Sequence, residues 1–273
     1  MDFDGAQMRY LRAGSGPPLI LLHGLMGYSF SWRYTMPALS SYHATYAPDM
    51  LGAGFSDRPR IDHSMRATAL RVLRFIEELG ISSFDLLGTS RGGAVAMCAA
   101  AECLARRDLN VRSLILVAPV NPYSPHGRWL AAFAGTRVGA WTMRGVLEQM
   151  PFLYPYVHAR LYGDRRNIRA GTLEGYKAPL AKPGLFDHAL SIVSTWGADL
   201  RELEALLPKL GEIPTSLMWG SKDPAVYCSS MEPLARYFPK AEKVVFRGIG
   251  HLPYEECPEE FNQALIRFLG AIG

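Results

Sequence analysis

The sequence predicts an α/β fold: a parallel sheet covered by helices on both faces and interrupted once by a mostly helical stretch. Three observations predict it. Over residues 17–120, short and nearly continuous apolar runs alternate with helical periodicities, as expected of strands buried on both faces. From about residue 121 to 207 strong strand signals cease, and aromatic, Pro and Arg residues thicken. Beyond 207 the strand signals return.

Each element has its own reason. "PPLILLHG" (17–24) is an apolar run closed by Gly, and "HATYAPDMLGAG" (43–54) is a strand that breaks into a Gly-rich loop. "MRATALRVLRFIEELG" (65–80) is apolar at Ala69, Val72, Leu73, Ile76 and Leu79, which is helical spacing, and Gly80 stands where such a helix ends. Then "SFDLLGTS" reads as strand, "RGGAVAMCAAAECLARR" as helix and "VRSLILVAPV" (111–120) as strand. Residues 121–207 offer only short helix-like pieces such as "GRWLAAFAG". "TSLMWGSKD" (215–223) and "KVVFRGIGH" (243–251) are strands again, and "PEEFNQALIRFLGAIG" closes the chain as an amphipathic helix. The expected organisation is a core of residues 1–120 and 208–273, with 121–207 as a helical lid over the strand ends.

Composition narrows the function classes. With 273 residues, 49% of them hydrophobic and 20% charged, the chain can bury a sizeable core and is not disordered. A net charge of +4 is spread along it, and the longest basic cluster, "RRNIR" (165–169), is too short to argue for nucleic acid. Four cysteines, Cys98, Cys103, Cys228 and Cys257, show no CxxC pattern and read as reduced thiols, with Cys98 on a buried helix face. The N-terminus has no basic-then-apolar leader pattern, and no window reaches the length of a membrane span, so a cytoplasmic protein without a membrane partner is expected.

Gly88-Thr89-Ser90-Arg91-Gly92 fits G-x-S-x-G between a buried strand and an Ala-rich helix. A serine that leaves a strand and enters a helix within one residue needs small neighbours, which Gly88, Gly92 and Gly93 provide. Serine also favours helix N-caps, so the motif alone does not settle its role. A hydroxyl nucleophile needs a base, and the base needs an orienting acid. Asp223 ends one later strand and His251 follows the last, so the order is Ser, Asp, His, each at a C-terminal strand end. Ligands bind along that edge in open α/β sheets. An oxyanion hole would come from the backbone N–H groups of Arg91, directly after the nucleophile, and of Leu25, after "LILLHG".

"HGLMG", "DMLGAGFSDRP", "GTSRGG", "WGSKDPA" and "GHLPYEECPEEF", in that order across residues 17–273, resemble the successive signatures of the α/β-hydrolase superfamily. The resemblance implies a mostly parallel sheet of about eight strands flanked by helices, with a helical cap inserted after strand six and the first strand absent or very short. It implies Ser90, Asp223 and His251 as a triad, and the Leu25 and Arg91 amides as oxyanion donors. Dehalogenases and epoxide hydrolases of the superfamily place Asp where this chain has Ser90. Carbon–carbon bond hydrolases often resemble "GNSMGG" with Trp after the histidine, where this chain has Thr89 and Leu252. The "HLP" run is closer to carboxylesterases and cofactor-free haloperoxidases. The expectation is a serine hydrolase of a small carboxylic ester, thioester or amide, needing no metal or organic cofactor. A carbon–carbon bond hydrolase or a perhydrolase is the alternative on the same triad, and a receptor that retains the triad is the alternative from another class.

Arg91 departs from the apolar residue common at its position. Its guanidinium either faces the pocket and holds a substrate carboxylate, or turns away to pair with Asp49 or Asp57. "MPFLYPYVHARLYG" (150–163) is dense in aromatics, and Tyr154 and Tyr156 are the candidate walls for an apolar or aromatic small molecule. His126, His158 and His188 lack metal spacing and read as surface or packing residues. A monomer or homodimer is compatible with all of this.

Overall fold

The computed structural model describes residues 1–125, 133, 136–148 and 153–272. Its strands are β1 (Asp2–Phe3), β2 (Ala6–Gln7), β3 (Tyr10–Ala13), β4 (Pro18–Leu22), β5 (Ala44–Pro48), β6 (Ser83–Thr89), β7 (Asn110–Val117), β8 (Thr215–Gly220) and β9 (Glu242–Phe246). β3 to β9 form one seven-stranded sheet in the order β3-β5-β4-β6-β7-β8-β9. Only β3 runs antiparallel within it, against β5. The first strand implied by the resemblance is missing from the sheet. Asp4 and Gly5, both at positive φ (55° and 88°), instead fold β1 and β2 into a separate hairpin, because consecutive left-handed residues make the tight turn that suits hairpin twist. Counted with the missing strand, the helical insertion follows strand six as expected.

The period-two alternation of buried strands sorts side chains onto two cores. Ile20, Leu22, Leu86, Leu114, Leu116 and Trp219 face the helices Met65–Glu78 and Arg91–Cys103. Leu19, Leu21, Leu87, Ile115, Val117 and Met218 face Trp32, Met36 and the C-terminal helix Pro258–Ile272. A fully buried leucine contributes about 1.5–3 kcal/mol against exposure, so these two layers hold the sheet rigid beneath its functional edge. The Arg91–Cys103 helix is buried almost all round, including Cys98, which explains its alanines: larger side chains would not fit between the sheet and its neighbours. Met65–Glu78 starts where the Ser64 hydroxyl accepts from the Ala67 N–H at 3.3 Å, and Gly80 at φ 69° follows its end.

Between β7 and β8 lie the helices Arg137–Glu148, Tyr154–Ala159, Thr172–Lys177 and Leu185–Leu206. The last has 22 residues, where the sequence suggests only short pieces. Its middle, "SIVSTWGAD", mixes Ser, β-branched residues and Gly, so local propensity is weak and tertiary burial of Ile192, Leu200 and Leu203 holds it. Most of "GRWLAAFAG" and His126 fall outside the described residues. The insertion is tied to the sheet domain through polar groups. Arg33 donates to the Thr172 hydroxyl (3.0 Å), the Tyr28 hydroxyl to the Gly175 carbonyl (2.7 Å), and Lys182 pairs with Asp57 (3.0 Å). Among the described residues no helix is long and apolar enough to cross a membrane.

Candidate active site

The C-terminal ends of β4, β6, β8 and β9 bring the candidate residues to one edge. Ser90 leaves β6 and enters the Arg91–Cys103 helix with φ 53° and ψ −123°, a strained backbone for a residue with a Cβ. It is held from both sides. Its N–H donates to the Val117 carbonyl at 2.9 Å, and its own carbonyl accepts from Gly93 (3.0 Å), Ala94 (3.3 Å) and Val120 (2.9 Å). The small neighbours are required by close backbone. A Cβ on Gly92 would collide with the Leu22 and His23 carbonyls, and one on Gly24 would sit 3.1 Å from the Ser90 Cβ. Gly24 thus makes room for Ser90 as well as turning the chain.

Asp223, after β8, and His251, after β9, are both buried. His251 Nδ1 lies 2.7 Å from Asp223 Oδ2. The other carboxylate oxygen, Oδ1, accepts from the Ala225 (2.7 Å) and Val226 (2.9 Å) N–H groups, which fixes its orientation. An acid so placed holds a proton on Nδ1 and leaves Nε2 as the free base. The backbone of His251 is anchored too, its N–H donating to the Leu161 carbonyl at 2.7 Å.

Ser90, His251 and Leu25 line one cavity of about 470 Å³, and the remaining wall is mostly apolar, including Val157, Phe186, Leu190 and Val193. The turn Gly24–Gly27 closes through a Gly27 N–H to Gly24 carbonyl bond of 3.1 Å, with Met26 at φ 59°. A non-glycine in that conformation is uncommon and marks a turn held by its surroundings. Beneath it, His23 Nε2 accepts from the Met50 N–H (3.0 Å), so its proton sits on Nδ1, against the Gly24 carbonyl (2.9 Å). Burial lowers the His23 pKa and keeps the ring neutral. Arg91, as the first helical residue, has a backbone N–H without an intrahelical acceptor.

Two expectations are corrected. The Arg91 side chain does not line the cavity. It turns away and donates to the His63 carbonyl (2.5 Å) and the Thr68 hydroxyl (3.1 Å), and burial lowers its pKa to about 10. It pairs with neither carboxylate proposed for it: Asp49 accepts from Arg9, Ser29 and Phe55, and Asp57 from Gln7 and Lys182. Tyr156 is 57% exposed beneath the Arg165 guanidinium. The helix turns Tyr154, Val157 and His158 into the cavity, and a residue two after Tyr154 necessarily faces away. Of the two alternatives read for them, surface or packing, His158 and His188 both take packing: His158 is buried in the cavity wall, and His188 packs edge-on against His63 at 4.3 Å. Tyr154 does line the cavity. Ser31 and Tyr176 also belong to the wall, and no local pattern in the sequence singles them out. Among the described residues no group of three His, Cys, Asp or Glu side chains is placed to hold a metal ion.

A mostly parallel sheet thus gathers an acid–imidazole pair and a strained serine at its strand ends, beside a helical insertion. The chain belongs to the alpha/beta hydrolase fold family, whose model matches residues 17–258. It is 27% identical to an uncharacterized protein of Mycobacterium tuberculosis over 97% of this chain and 79% of that protein. It is 28% identical to haloalkane dehalogenase 2 of the same species, over 98% and 93%. Among solved structures it matches a meta-cleavage product hydrolase from Pseudomonas fluorescens IP01, with TM-score 0.78 and 23% identity over 98% and 96% of the two chains. At that identity the last likeness speaks to the fold alone.

Proposed function

We propose that the protein is a serine hydrolase that cleaves a small, largely apolar carboxylic ester through an acyl-enzyme. The observation that carries this reading is the 2.7 Å His251–Asp223 pair opening, with the strained Ser90, onto one apolar cavity. Ser90 Oγ attacks the ester carbonyl while His251 Nε2 takes its proton. Asp223 steadies the imidazolium. The Leu25 and Arg91 N–H groups receive the negative charge that develops on the carbonyl oxygen. His251 returns the proton to the leaving alcohol, then activates water to release the acid and restore Ser90. The dehalogenase likeness does not extend to its chemistry in this reading, because a serine occupies the position where the resemblance puts aspartate. Residues 121–207 act as the lid over a core of 1–120 and 208–273.

Intact-mass analysis after exposure to a small fluorophosphonate tests the reading. One adduct is expected on the wild type and none on Ser90→Ala. A wild type that takes no adduct and turns over no simple ester defeats it.

A further inference from the structure

Apart from Ser90 and His251, the cavity wall carries one chain of hydrogen bonds whose direction follows from its chemistry. Its buried end is Glu255. Arg33 forks onto both oxygens (2.9 and 3.0 Å), the Tyr162 hydroxyl donates at 2.6 Å, and Tyr176 donates as well. A carboxylate facing a guanidinium on both oxygens acts only as an acceptor. Tyr176 has a single proton, and burial, reinforced by Glu255, raises its pKa well above the ordinary value, so it keeps that proton. The proton is therefore committed to Glu255. Ser31 Oγ lies 2.8 Å from the same phenol oxygen, and two oxygens at that distance need one proton between them. It must come from Ser31.

We propose that Ser31, polarised through Tyr176 by Glu255, presents a hydrogen-bond acceptor to the bound substrate, and that the site selects esters whose chain carries an O–H or N–H donor. With its proton directed at Tyr176, Ser31 has only lone pairs left for the cavity that it lines. Its surroundings make that polarity count. Most of the wall is apolar, and none of the described lining residues is Lys or Arg, so a substrate carboxylate finds no cation. His158 packs tilted against Tyr176 with ring centroids 4.3 Å apart, and burial lowers its pKa to about 4. It stays neutral near neutrality, and its buried Nε2 makes no hydrogen bond within the described residues. This corner of the cavity is polar without being charged, which suits a hydroxyl or amide N–H.

The proposal rests on the ester reading for the reaction, but its test reads binding. Methyl hexanoate, its hydroxy derivatives with the hydroxyl moved along the chain, and the matching oxo derivatives are titrated calorimetrically into Ser90→Ala, which cannot turn them over. The best hydroxy ester is expected to bind about five- to tenfold tighter than both the plain and the oxo ester, the worth of one net hydrogen bond. Adding Ser31→Ala should abolish that ratio. Adding Tyr176→Phe removes the acceptor of the Ser31 proton and frees Ser31 to donate, so the oxo ester should gain on the hydroxy ester. A purely structural Ser31 would not produce that reversal. Equal binding of plain and hydroxy esters at every position overturns the proposal, as does a preference for the oxo ester in the parent. A hydroxyl preference without any hydrolysis by the wild type would remove the ester reading and leave the Ser31 subsite standing.

Discussion

The sheet edge and the helical insertion meet at one cavity and are built on different terms. At the edge, backbone does much of the placing: Ser90 is pinned by four main-chain hydrogen bonds, Gly92 is glycine because the Leu22 and His23 main chain lies against it, and Gly24 because the Ser90 side chain does. The insertion shapes its wall with side chains, Tyr154, His158 and Tyr176, and is tied to the rest of the chain by many polar contacts. Backbone-built geometry has little slack, whereas a wall built of side chains changes shape with a single substitution. In the reading proposed above, the sheet domain supplies the reacting groups and Ser31, and the insertion supplies much of the wall around them.

Four experiments can break or sharpen that contrast. The largest effect is expected from Ser90→Ala, which should lower kcat on a responsive ester by about 10⁴- to 10⁶-fold. Steady-state kinetics that showed a loss below tenfold would take the chemistry away from the sheet edge. Next, Gly92→Ala drives a methyl into the Leu22 and His23 carbonyls and should cost about 3 kcal/mol or more of stability by denaturant titration. Retained stability would mean the edge yields more than its packing implies.

The seam between the two regions should respond to pH. Burial lowers the pKa of His63 and His158 to about 4 and of His188 to about 2, while the unfolded chain protonates these rings near 6.5. Between those values the unfolded state binds more protons, so stability is full above about pH 6.5 and falls as pH drops towards 4. His188→Gln should flatten the fall in Tm between about pH 7 and pH 5. An unchanged slope would remove His188 from this account. The smallest effect belongs to Gly145, in the Arg137–Glu148 helix, exposed and with nothing near a modest side chain. Gly145→Ala should stabilise by about 0.5–1 kcal/mol in thermal or chemical unfolding, the helix-propensity difference. A loss of stability there would show that the insertion is as tightly fitted as the edge.

Much of the sheet was legible because buried parallel strands write themselves as apolar runs, and the gathering of Ser90, Asp223 and His251 at one edge because each follows a strand signal. What stayed illegible depends on contacts far apart in the chain. The direction of the Arg91 side chain is set by a carbonyl at His63 and a hydroxyl at Thr68, on a segment that no local pattern connects to it. Tyr154 and Tyr156 look alike in sequence, and only the rotation of a six-residue helix puts one inside and the other out. The antiparallel edge strand β3 is four residues of mixed polarity, "YLRA", half exposed, and carries no alternation to read.

Glu255 and its neighbour Glu256 give the cavity an asymmetry of support. Glu256 accepts from the backbone of Gly250, just before the imidazole, and from that of Gly163 and Asp164 in the insertion. Leu161, meanwhile, receives the N–H of His251 itself. The support of the His251 backbone is thus shared with one flank of the insertion. Prising residues 161–177 away would strip the imidazole's backbone of a partner and Glu255 of two. If His251 is the base proposed above, opening that flank would also loosen the base.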